Sequence, residues 1–77
     1  MLAEKYSKVL ISYAHTSKRP YQAFVEHFGT SLLGHEDEVI EAIKRVIPIQ
    51  TASRSMVINR VLTRISKIKE VEHEIHA

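Results

Sequence analysis

The sequence predicts an all-α fold, a short bundle of two to three helices that forms a homodimer through its C-terminal helix. Three observations carry this. In the last third of the chain Ile58, Val61, Ile65, Ile68 and Ile75 advance by three, four, three and seven residues, along one helical stripe that only Glu72 interrupts. Tyr21, Phe24, Val25 and Phe28 fall at i, i+3, i+4 and i+7, which gives a second, aromatic-rich helical face. Between these two segments Glu36, Asp37 and Glu38 precede Lys44 and Arg45, the charge order that a helix dipole favours.

Residues 1–18 form an N-terminal arm with two readings. Leu2, Tyr6, Val9, Leu10 and Tyr13 fit one face of a helix, whereas Lys8 to Tyr13 (KVLISY) has the composition of a strand. A lone strand would find no partner later in the chain, so the arm is expected as a loose helix packed across Phe24 and Phe28, or as a partly ordered segment. Its competitor is a strand paired with its symmetry mate. Thr16 to Arg19 is a polar break, and Pro20 suits the first position of a helix over 20–28 that Gly29 stops. Thr30 or Ser31 is expected to cap the next helix. That helix, over 35–47, buries Val39, Ile40, Ile43, Val46 and Ile47, and Pro48 ends it. Thr51 or Ser53 then caps a helix over 52–70.

Size and composition narrow the function classes. A chain of 77 residues is one domain, and its core is marginal enough that oligomerisation is a common remedy. The absence of cysteine excludes a disulfide framework and a Cys-based zinc site. Met1 to Tyr6 lacks the layout of a signal peptide, and the longest apolar runs are too short for a bilayer, so a cytoplasmic location is the default expectation. The formal net charge of +2 allows nucleic acid without demanding it.

Two groups of residues are candidates for binding. Val57, Ile58, Val61, Leu62, Ile65 and Ile68 form an apolar seam wider than so small a fold would hide, and they are the expected dimer or partner interface. Arg60, Arg64 and Lys67 share another face of the same helix, with Arg54 and the Lys44-Arg45 pair near its start. These cations read either as a solvated face or as contacts to nucleic acid or an acidic partner. Ser53 to Val57 has the look of a recognition-helix start. However, Pro48 and Ile49 sit in the turn, and Ile58-Asn59 adds one residue to the familiar spacing, rotating the later side chains by about 100°.

Nothing points to catalysis, a cofactor or a small-molecule substrate. His15, His27 and His35 have no nucleophile or carboxylate partner at motif spacing, and Gly29 and Gly34 make no phosphate loop. Glu36 to Glu38 is helix-start chemistry rather than a paired-carboxylate site. His73 and His76 could bind a metal only with further ligands that a chain terminus does not supply.

Two family resemblances bear on function. Lys8 to Phe28 (KVLISYAHTSKRPYQAFVEHF) resembles the first strand and helix of bacterial TIR-type domains, but the parallel sheet of that fold has no counterpart in the remaining residues. From Gln22 to Val71 the order is an aromatic-rich helix, the stretch Leu32-Leu33-Gly34-His35-Glu36-Asp37-Glu38, a polar turn and a long Ile/Leu/Val helix. This is similar to the small enterobacterial regulators of biofilm development and acid resistance of the AriR type. Pro48 in the turn and the more basic last helix depart from that pattern. The resemblance implies an all-helical dimer acting as a connector to two-component relays. A non-enzymatic regulator that binds a signalling or transcription-regulating protein is therefore the first functional expectation. A small dimeric DNA-binding protein is the alternative.

Overall fold

The structure, a computed structural model, describes residues 1–76, with side chains as far as Val71. Among the described residues there are four α-helices and no strand: α1 (Leu2–Thr16), α2 (Pro20–Phe28), α3 (Glu36–Val46) and α4 (Ala52–His76). A single 3-10 turn, Gly29–Leu32, joins α2 to α3. The all-α class agrees with the sequence, while the expected two or three helices become four. The added helix is the N-terminal arm. As a helix, Leu2–Thr16 satisfies its own backbone hydrogen bonds and turns Ala3, Tyr6, Ser7 and Leu10 inward on one face. The buried Ser7 hydroxyl donates to the Glu4 carbonyl at 2.8 Å, so it enters the core with its polar demand met.

Local chemistry sets the boundaries. Pro20 occupies the first turn of α2, where its missing N–H costs nothing. The Gly29 N–H closes that helix on the Val25 carbonyl, with φ at 53°, a backbone region that side chains with a Cβ rarely adopt. Thr30 and Ser31 do not cap α3. They lie within the 3-10 turn, and His35 precedes α3 without a side-chain cap bond. Accordingly α3 starts one residue later and stops one earlier than the 35–47 read from the pattern. Thr51 is the cap of α4, its hydroxyl accepting the Arg54 N–H at 3.1 Å. That helix runs on past residue 70 to His76.

One core serves all four helices. Phe24, Leu10, Leu32, Ile43, Ile65, Val39 and Val61 are its largest fully buried side chains. The most extensive packing is α1 on α3, and the small buried residues Ala3, Ser7 and Ala42 on those helices favour a close approach. Tyr6 of α1 stands edge-on to Phe24 and Phe28 of α2, with ring centroids 5.6 and 4.9 Å apart. A second link joins the same helices at the surface, where the Tyr13 hydroxyl lies 3.0 Å from His27 Nδ1. α4 crosses the other elements, packing on α2, the 3-10 turn and α3. At about 1.5 Å per residue its length approaches the 41 Å long axis of the molecule.

Candidate binding groove and basic face of α4

The apolar seam of α4 turns inward on its own chain. Val61 and Ile65 are 1% and 2% exposed, Val57, Ile58 and Ile68 pack against the same core, and Leu62 is half-buried. These residues were expected to face a second copy. Within the chain α2, the 3-10 turn and α3 cover Val61 and Ile65, while Val57, Ile58, Leu62 and Ile68 keep part of their surface in solvent. Among the described residues Met56 and Val71 are the large apolar side chains of α4 that are exposed.

The cations separate into two roles. Arg54 is half-buried and points its Nη1 at the carbonyls of Ile47 and Pro48, at 3.3 and 3.4 Å. It thereby ties the start of α4 to the end of α3, where unpaired carbonyls and the helix dipole favour a cation. Arg54 is thus a structural clamp and stands apart from the face of Arg60, Arg64 and Lys67, which are all exposed. Lys44 and Arg45 sit in the last turn of α3, and Arg45 pairs with Glu41 at 3.9 Å.

Tertiary packing adds a second basic wall. Ser17 ends α1 in extended conformation, its N–H donating to the Tyr13 carbonyl and its hydroxyl accepting the Arg19 N–H at 3.2 Å. With Pro20 fixing the next turn, Lys18 and Arg19 are presented on a short, well-braced loop. This loop faces α4 across a groove of about 400 Å³ lined by Lys18, Arg19, Pro20, Tyr21, Gln22, Val57, Arg60, Val61 and Arg64. Arg64 Nη2 donates to Gln22 Oε1 at 3.4 Å across the groove, a neutral partner that orients the guanidinium and leaves its charge intact. Tyr21 is half-buried at the floor, and burial pushes its phenol above the ordinary value of 10.0.

On its outer side α4 presents Ala52, Ser55, Met56, Asn59 and Thr63 beside Arg60, Arg64 and Lys67. The ion pairs among the described residues lie elsewhere, on Lys8–Glu4, His35–Glu38 and Arg45–Glu41. Groove and outer face share Arg60 and Arg64, and neither has a carboxylate in its lining, although Gln22 Nε2 donates to the neighbouring Glu26 carboxylate at 3.2 Å. Such a surface is complementary in charge to an acidic one. Sequence reasoning missed Lys18, Arg19, Tyr21 and Gln22, since they reach α4 only through the packing of α2.

Among the described residues no three His, Asp or Glu side chains gather as a metal site. The side chains of His73 and His76 lie outside those described. No helix among the described residues is long and apolar enough to cross a membrane. Comparison with family models, curated proteins and solved structures found no match.

Proposed function

We propose that this chain is a small non-enzymatic regulatory protein that works by binding, docking an acidic signalling or transcription-regulating protein on the basic surface of α4. The observation behind the reading is the pairing of Lys18 and Arg19 with Arg60 and Arg64 around one groove, without a carboxylate among the lining residues. Cations on both sides of a cleft raise the encounter rate with an acidic surface and disfavour basic ones. The regulatory sense, including a connector-like place beside two-component relays in biofilm and acid-resistance control, comes from the AriR-type resemblance. Affinity capture from the source organism tests the reading. Wild-type protein is expected to retain an acidic partner that a chain carrying R60E, R64E and K67E loses. If no captured protein distinguishes the two baits, the reading fails.

A second reading has its own observation. Ser55, Asn59, Arg60, Thr63 and Arg64 on the outer side of α4 are side-chain types that hydrogen-bond to base edges and phosphates, and α3 precedes α4 across a short turn. Duplex DNA binding at about 50 mM salt, lost steeply as salt rises, would put DNA binding first. Absence of duplex binding under those conditions leaves the protein partner.

A further inference from the structure

The groove beside α4 differs in kind from the outer face of that helix, because its cations flank an apolar floor. Lys18 and Arg19 stand on one wall and Arg60 and Arg64 on the other, with Pro20, Tyr21 and Val57 half-buried between them and Val61 sealed beneath. A lone phosphate would satisfy the rim and leave that floor wet. A nucleic-acid duplex is far too wide for about 400 Å³ and would ride on the outer face. The complement of a cationic rim around an apolar floor is a segment whose carboxylates flank an apolar side chain.

Resting on the protein-partner reading, we propose that the groove takes a short acidic segment of that partner, with one Leu- or Phe-like anchor on Tyr21 and Val57. Its Asp or Glu side chains on either side of the anchor meet Lys18 and Arg19 on one wall and Arg60 and Arg64 on the other. Arg64, held in place by neutral Gln22, offers its guanidinium already oriented, which lowers the ordering cost of a carboxylate contact. The floor supplies an attraction that salt leaves largely untouched, so binding is only partly lost as ionic strength rises.

The test uses a fluorescein-labelled peptide with a Phe anchor flanked by Glu on both sides, titrated with the full chain and read by fluorescence anisotropy. Substituting the anchor by Ser, or introducing R60E with R64E, or K18E with R19E, is expected to weaken binding about tenfold or more. K67E, outside the groove, changes it about twofold or less. Methyl resonances of Val57 and ring resonances of Tyr21 shift when the peptide is added, and circular dichroism confirms that each variant is folded. No measurable binding overturns the inference. So does equal affinity for the Ser-anchored peptide, a K67E loss as large as the groove variants show, or displacement of the peptide by inorganic phosphate at comparable concentration. If the peptide fails while the charge-reversed chain still loses its captured partner, the groove inference falls and the protein-partner reading survives. If both fail, the reading falls with it.

Discussion

Arg60 and Val61 are sequence neighbours, as are Arg64 and Ile65, yet one member of each pair is in solvent and the other in the core. Val61 and Ile65 are 1% and 2% exposed, while both arginines stand on the rim of the groove. A single residue step turns a helix by about 100°, which is enough to place adjacent side chains in opposite environments. The inner side of α4 is held by tight packing that tolerates little change. Its outer side is exposed and meets the rest of the fold through the Arg64–Gln22 hydrogen bond. The same helix is thus an anchor on one side and a presenting surface on the other.

The most severe way to break this contrast is to charge the inner side. Ile65→Asp places an uncompensated carboxylate in a fully covered site and is expected to abolish the cooperative thermal melt. Arg64→Glu, one residue away, keeps the wild-type far-UV spectrum and shifts stability by no more than about 0.5 kcal/mol. Equal losses from the two would mean that the rim is part of the packing. The next effect is Leu10→Ala in α1. Leu10 is 1% exposed, and its truncation is expected to cost about 2–5 kcal/mol by urea unfolding. A loss under about 1 kcal/mol would show that α1 is an ornament on a bundle complete without it.

How far the sequence reveals these features depends on whether the controlling contacts are local. The bounds of α2 follow from Pro20, the aromatic spacing and Gly29, all of which act within about three helical turns. The bounds of α3 come within one residue because Glu36 to Glu38 and Lys44-Arg45 mark its ends. α1 is ambiguous by composition, since its Val, Ile and Tyr suit either regular structure. The choice falls to helix because its inward face finds α3 and α2 to pack on, which is a tertiary fact. Arg54 shows the opposite case, where the spacing contained the answer. It lies seven residues before Val61 and so shares the core-facing side of α4, whereas Arg60 and Arg64 do not. The basic wall of Lys18 and Arg19 could not be read in the same way. Gln22 and Arg64 meet across 42 positions of sequence, and no local periodicity reports such a meeting.

Smaller changes probe the junction where the two sides of α4 begin. Thr51→Ala removes the hydroxyl that receives the Arg54 N–H and is expected to cost about 1 kcal/mol. For a domain of this size each kcal/mol corresponds to a melting shift of about 4–8 °C. Arg54→Ala removes the clamp on the Ile47 and Pro48 carbonyls and is expected to cost about 0.3–1 kcal/mol, without weakening binding to the outer face. A binding loss in Arg54→Ala as large as that of Arg60→Glu would return Arg54 to the recognition surface.

The smallest effect is confined to alkaline solution and separates the core from the rim by pH. The Tyr6 ring is 2% exposed against Phe24 and Phe28, and its phenol is pushed above the ordinary value of 10.0, first by burial and second by the charge of Glu38. Tyr21 is raised by burial alone. In both cases the fold favours the neutral phenol, so the full contribution is present below about pH 10 and is lost as pH rises through the higher folded-state value. Stability by urea unfolding is therefore expected to be flat in this respect between about pH 7 and 9 and to decline beyond about pH 10, where an unfolded chain ionises its tyrosines first. Tyr6→Phe should flatten part of that decline, and adding Tyr21→Phe should flatten more. A decline as steep in Tyr6→Phe as in the wild type would show that the Tyr6 hydroxyl reaches water and that its ring alone belongs to the core.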